Sequence, residues 1–411
     1  VGRLEELRSA GRLAGDALAG VVGIVEDMHG AVANRVDAAL PPVAAPVTIM
    51  QRGITNAVYV GVTAGHRLLA AGGAELIARR GDEADAAPSE TARGRQAAAI
   101  VNGLWGDRVV QDHRDVAIPM AVRVDGRDVP LTPDALAEAF PAATRRLVVF
   151  VHGLVQDDSA WQVTPGRASL ELPRSYGELL HDELGHTPIY VRYNSGLRVS
   201  ANGQSLSALL AGLLDAWPVP VEEVNLVGAS MGGLVARSAC HYGDRHDERW
   251  ASLVRTVVTL GTPHLGAPLE RGAHVVDWVL KRFAETEPLS RVLGSRSVGV
   301  RDLRYGNLVE EDWFGHDPDE LLTDRATHVP FLDHATYYFV AATVTSDALH
   351  PAGRLLGDGL VRYSSASGSG TTRRIPFDHA NGVHLTGTHH LSMLTHPAVY
   401  AHLRKWLAHE E

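Results

Sequence analysis

The stretch Val224-Asn225-Leu226-Val227-Gly228-Ala229-Ser230-Met231-Gly232-Gly233-Leu234-Val235-Ala236 decides the fold. Val224 to Val227 is a short apolar run of the kind found in strands buried on both faces. Leu234 to Cys240 follows with a helical pattern. Between them Gly228, Ser230 and Gly232 make a Gly-x-Ser-x-Gly turn, placed as a strand-to-helix elbow requires. A serine on so sharp a turn holds its hydroxyl clear of the backbone. Side chains two positions to either side would collide there, and glycine has none. The helix that begins after Ser230 aims its amide dipoles at any negative charge developing beside it. Ser230 is therefore the candidate nucleophile.

Outward from this elbow the chain alternates between strand and helix. Leu147–Val151, Ile189–Val191, Val254–Leu260 and Tyr338–Thr343 read as strands, and Ser205–Trp217 reads as a helix. This alternation predicts an α/β architecture, a mostly parallel central sheet with helices on both faces. In such sheets ligands bind at the carboxyl ends of the strands. Ile118, Met120, Val122 and Val124 alternate up to Asp125-Gly126, and Val129 and Leu131 follow, which predicts a hairpin. Thr132-Pro133 reads as the cap and first residue of a short helix through Leu136 and Phe140.

A nucleophilic serine needs a base, an orienting carboxylate and two amides aimed at the oxyanion. One amide should come from Met231, the residue after the nucleophile. The other should come from the loop after the strand Leu147–Val151, where His152-Gly153-Leu154 follows; Leu154 is the candidate. His152 is expected to orient this loop, not to act as base. The acid should follow the strand Tyr338–Thr343, where both Asp347 and Asp358 qualify. The base should precede the last helix, where His379, His384, His389 and His390 crowd. A loop histidine followed by Leu and a helical start fits best, which selects His390 over His389. His396 precedes Pro397 and reads as a helix cap.

The run His152-Gly153-Leu154, the elbow, and Leu260-Gly261-Thr262-Pro263-His264-Leu265-Gly266 together resemble bacterial triacylglycerol lipases. They also resemble the GPI inositol-deacylase-like branch of lipases and esterases. The resemblance covers roughly Ala117 to the C-terminus and implies an α/β-hydrolase fold. It matches Gly357-Asp358-Gly359 to the segment that carries the catalytic aspartate, and His390-Leu391 to the one that carries the catalytic histidine. It implies hydrolysis of hydrophobic carboxylic esters through an acyl-enzyme on Ser230, with Asp358 and His390 completing the triad. An acyltransferase using the same acyl-enzyme is the alternative, and a non-catalytic binding protein of the same fold a third reading. Ser392 stands where many of these lipases carry an acidic calcium ligand, so no calcium site is carried over. Val155 stands where a small residue is common, and a single cysteine excludes the disulfide some relatives have.

The long segment from about Gly266 to Asp333 reads as a helical lid or cap insertion. Trp278, Val279 and Phe283 in it, and Trp161 after the oxyanion loop, are candidate substrate-binding residues; Trp161 suits the core equally well. His316, Asp317 and Asp319 read as solvated loop polarity, so neither a metal nor a cofactor is expected. Residues 1–110 form a separate N-terminal helical region in this reading, and 111–411 the catalytic domain. Leu4, Leu7, Gly11, Ala14, Leu18 and Val21 recur at helical steps. A helical hairpin packed on the catalytic domain is the expected role, with a homo-oligomer through these helices or contact with a membrane surface as alternatives. Of 411 residues 45% are hydrophobic and the net charge is −10, so no basic footprint for nucleic acid exists. No apolar run reaches the ~18 residues of a transmembrane helix. Cys240, the single cysteine, is expected to be buried and inert. A cytoplasmic location is favoured, with export after loss of a leader the alternative.

Overall fold

The computed structural model describes residues 91–112, 114–162, 172, 174–267, 297–315, 326–347, 350–371 and 373–410. The chain divides into two compact units. One holds Val1–Gly94, Val109–Ala117 and Arg271–Arg296; the other holds Arg95–Arg108, Ile118–Glu270 and Ser297–Glu411. The second contains the sheet and is described here. Most of the first lies outside the described residues, as do the expected helices before residue 91.

Eight strands build that sheet: β1 (Ala121–Val124), β2 (Arg127–Val129), β3 (Arg146–Val151), β4 (His186–Arg192), β5 (Glu223–Ala229), β6 (Val254–Leu260), β7 (Thr336–Thr343) and β8 (Gly382–Thr386). Their order is β2-β1-β4-β3-β5-β6-β7-β8. β1 runs antiparallel to β2 and β4, while every pair from β4 to β8 is parallel. This is the α/β-hydrolase fold. The β1–β2 hairpin turns at Asp125-Gly126 with φ of 49° and 73°, the paired left-handed values that a two-residue turn needs.

The longer helices among the described residues are α1 (Ala92–Asp112), α2 (Pro133–Ala139), α3 (Tyr176–Leu184), α4 (Val199–Ala216), α5 (Met231–Arg245), α6 (Val298–Tyr305) and α7 (Pro397–Leu407). Thr132 caps α2, its side chain accepting from the Ala135 amide, with Pro133 at the first position. His396 caps α7, its Nδ1 accepting from the Ala398 amide at 3.1 Å. α1 is longer than the Ala97–Leu104 segment expected from the sequence, and leaves helical geometry at Trp105. None of the described helices is long and apolar enough to cross a membrane.

Strand alternation divides the core. Leu147, Val149 and Val151 of β3 pack in one cluster with α4 and α5 residues such as Leu206, Leu210, Leu213, Leu234 and Val235. Val148 and Phe150 point the other way and join Leu180 of α3 with Val399 and Leu403 of α7. A strand buried on both faces is apolar at every position, which is why Leu147–Val151 is legible as a strand. Each such Leu or Val contributes about 1.5–3 kcal/mol when buried. Cys240 lies in the first cluster, 2% exposed, and burial pushes its thiol up to about 12, so it stays protonated.

Register sets up the site. Val151 of β3 pairs with Gly228 of β5, and Ala229 pairs with Leu260 of β6. The segments that follow these residues therefore leave the same edge of the sheet side by side.

Candidate active site

Ser230 stands at the junction of β5 and α5 with φ 51° and ψ −121°. A non-glycine residue in that region is strained and persists only where its surroundings hold it. Here the Ser230 amide donates to the Leu260 carbonyl at 2.8 Å, and the Gly233 amide donates to the Ser230 carbonyl at 3.1 Å. A Cβ on Gly228 would come 2.5 Å from Gly233 Cα, and one on Gly232 would come 2.5 Å from the His152 carbonyl oxygen. Both glycines are thus required for close approach.

The loop after β3 runs beside the elbow. The Gly153 amide donates to Gln156 Oε1 at 2.8 Å, and the Val155 amide donates to Ser195 Oγ at 3.0 Å. Leu154 lies between these two occupied amides. Among the described residues neither the Leu154 nor the Met231 amide donates to a protein acceptor. Val155 has φ 56°, an unusual conformation for a β-branched residue.

His152 is fully buried. The Tyr193 amide donates to its Nε2 at 3.3 Å, so Nδ1 carries the proton and donates to the Gly153 carbonyl at 2.8 Å. Its ring stacks on Tyr193 at 4.3 Å, and the Tyr193 hydroxyl donates to the His152 carbonyl at 2.8 Å. His152 is therefore tied to the backbone of the loop that carries Leu154. Burial lowers its pKa from 6.5 to about 4. The unfolded chain consequently binds more protons between those values, and stability falls as pH drops through them. We expect His152 alone to cost about 2 kcal/mol at pH 5 relative to pH 7.5. Urea unfolding at the two pH values checks this; equal stabilities would contradict a neutral buried His152.

On the far side of the elbow, His390 Nδ1 lies 2.7 Å from Asp358 Oδ2, with both residues buried. Asp358 is held on its other oxygen, where Oδ1 accepts the Leu360 amide at 2.9 Å and the Val361 amide at 2.8 Å. The His390 amide donates to the Asp358 carbonyl at 3.0 Å. With Nδ1–H given to the carboxylate, Nε2 is left as the basic nitrogen. His389 is exposed and precedes the short helical turn His390–Leu394, and His384 on β8 bonds Thr343 Oγ1 at 3.1 Å. Asp347, the other acid candidate, is exposed.

Gly261 joins the two sides. It follows Leu260, whose carbonyl takes the Ser230 amide, and its φ is 57°. A Cβ there would lie 2.5 Å from Met393 Cε and 2.9 Å from His390 Cε1. The imidazole is therefore packed on the residue next to the elbow's own anchor. Among the described residues no hydrogen bond joins Ser230 Oγ to His390, and links of this kind are often long until substrate closes them. Gly261→Ala should displace His390 and cost about 1–3 kcal/mol of stability. Its melting temperature and its rate of fluorophosphonate labelling should both fall. A variant that labels and melts like the wild type would contradict this packing.

Trp161 is 1% exposed and lies in the core, tilted against Phe150 at 5.0 Å. Trp278, Val279 and Phe283, with most of the expected lid, lie outside the described residues, as do His316, Asp317 and Asp319. Sequence reasoning missed a buried polar pair behind the elbow, Arg237 on α5 and His264 on the loop after β6. Its only signal was the Thr262-Pro263-His264 run next to Gly261.

Residues 144–291 match a family model described as PGAP1-like alpha/beta domain. The matched segment carries the loop after β3 and the elbow, while Asp358 and His390 come from the chain beyond it. A triacylglycerol lipase of Burkholderia plantarii is 29% identical over 202 residues, 47% of this chain and 48% of that protein. The chain thus spans about half the length of that curated relative. Among solved structures, a mature Bacillus licheniformis lipase is similar at 20% identity and TM-score 0.35, over 61% of this chain and 86% of the other. A metagenomic carboxyl esterase is similar at 17% identity and TM-score 0.37, over 76% and 91%.

Proposed function

We propose that the chain is a serine carboxylic ester hydrolase acting on hydrophobic acyl esters. The observation that carries this reading is the buried Asp358–His390 pair beside a strained serine at a strand-to-helix elbow. In the proposed reaction His390 Nε2 takes the proton of Ser230 Oγ as that oxygen attacks the ester carbonyl carbon. The carbonyl oxygen becomes an oxyanion that accepts hydrogen bonds from the Leu154 and Met231 amides, at the positive end of α5. As the intermediate collapses, the bond to the alcohol oxygen breaks and His390 returns the proton to it. Water then attacks the acyl-enzyme with His390 again taking a proton, and the acid leaves with Ser230 restored. The similarity to a lipase over 202 residues supports an ester as substrate. A chain-length series of p-nitrophenyl esters, run with wild type and Ser230→Ala, tests the proposal. Turnover rising with acyl length and lost in the variant is expected; no wild-type turnover on any ester would overturn it.

A further inference from the structure

Behind the elbow, along α5 from Ser230, lies a cavity of about 80 Å³. Among its described lining residues are three guanidiniums, Arg237, Arg373 and Arg374, and two imidazoles, His264 and His328, with no carboxylate. Arg237 is 3% exposed and forms no ion pair among the described residues. Its Nη1 donates to His264 Nδ1 at 3.2 Å and its Nη2 to the Val329 carbonyl at 3.4 Å. Among the described residues its Nε has no partner.

Among the described residues none pairs Arg237 with a negative charge. His264 is neutral: burial and the neighbouring guanidiniums hold it well below its ordinary value, and its Nε2 donates to Thr259 Oγ1 at 3.1 Å. Asp312 acts on Arg237 only at a distance. Its Oδ2 accepts the Leu308 and Val309 amides at 2.7 and 3.0 Å, and its Oδ1 accepts the Thr327 amide at 2.6 Å. Arg373 Nη2 donates to the carbonyls of His264 and Tyr305, both at 2.9 Å, which fixes a second guanidinium on the same wall. Desolvation lowers Arg237 to about 10, so it remains charged at neutral pH.

We propose that this cavity binds a phosphate-class oxyanion, with Arg237 at its base and Arg373 and Arg374 beside it. A buried guanidinium without a counter-charge is costly, and its forked donors match the oxygens of an oxyanion. A doubly charged phosphate answers several guanidiniums better than one carboxylate does. The cavity holds several times the volume that a single water needs. The phosphate can be a free ion or the headgroup of a lipid. The site stands apart from the ester-hydrolase reading and does not depend on it.

The test compares thermal unfolding of the full chain in sodium phosphate and in sodium chloride at equal ionic strength, with calorimetric titration of phosphate. Wild type should show a saturable rise in Tm of about 3 °C or more in phosphate. Arg374→Gln, at an exposed position and so compatible with folding, should weaken phosphate binding by about tenfold. Arg237→Gln should abolish the rise if circular dichroism shows it folded. Ser230→Ala should keep the full rise, which separates failure of this proposal from failure of the hydrolase reading. On that variant, short-chain phosphatidic acid competing with phosphate assigns the site to a lipid headgroup, and no competition assigns it to the free ion. Equal Tm in both salts with no binding heat would overturn the proposal. So would a rise that Arg374→Gln and Arg373→Gln both leave unchanged.

Discussion

Ser230→Ala is expected to lower kcat on p-nitrophenyl esters by about 10³-fold or more. On the proposed mechanism no acyl-enzyme forms without the hydroxyl, and only the proposed donors at Leu154 and Met231 would remain to help attack by water. The loss should be specific to the chemistry. The Ser230 side chain makes no capping bond to α5, and the turn is held by backbone bonds to Leu260 and Gly233. Alanine leaves those bonds in place, so the melting temperature should barely move while fluorophosphonate labelling disappears. Activity near the wild-type level in a folded Ser230→Ala would remove this residue from the reaction.

Asp358→Asn should lower kcat by about 10⁴-fold. The direction follows from how the carboxylate is held. Oδ1 accepts two backbone amides, from Leu360 and Val361, so an asparagine would keep its carbonyl oxygen there. Its NH2 group would then face His390 Nδ1, where Oδ2 now accepts at 2.7 Å. A donor at that position forces the other imidazole tautomer, with the proton on Nε2, and a protonated Nε2 cannot take a proton from serine. Asp347→Asn serves as the comparison and should keep wild-type kcat. If Asp347→Asn is the variant that fails while Asp358→Asn turns over normally, the acid has been assigned to the wrong loop.

The fold was legible where burial forces a simple pattern. Leu147–Val151 is apolar at every position because both faces of β3 are covered, and Val254–Leu260, though it carries Arg255, Thr256 and Thr259, still shows the Val257-Val258 pair of a buried strand. β8 escaped notice because it is an edge strand: Gly382–Thr386 is half-exposed throughout and carries a glycine and a histidine. α4 begins at Val199, six residues before the expected start, since Ser200, Asn202 and Gly203 have poor helix propensity. They are buried nonetheless, and Gly203 admits the Ser238 side chain.

The candidate site was legible unevenly. Gly228, Ser230 and Gly232 announce a turn that few other sequences could make. Spacing alone could not separate Asp358 from Asp347, because what distinguishes them is a tertiary contact. Only the folded turn delivers two amides to Asp358 and sets it against His390. Arg237 was invisible for a similar reason. One arginine in an apolar helix reads as solvent-facing, and its burial depends on His264 and on the loop at Val329, both distant in sequence.

The order of the parts along the chain carries a consequence for synthesis. Among the described residues the loop after β3 and Ser230 precede β6, β7 and β8, whereas the His390 imidazole follows β8. At translation rates of about 5–20 residues per second, the ribosome needs roughly ten seconds or more to reach His390 after completing the elbow. On the proposed mechanism a nascent chain is therefore chemically silent until its final strand has joined the sheet. A nucleophile emerging beside other newly made chains and membranes thus stays unarmed until folding is nearly complete.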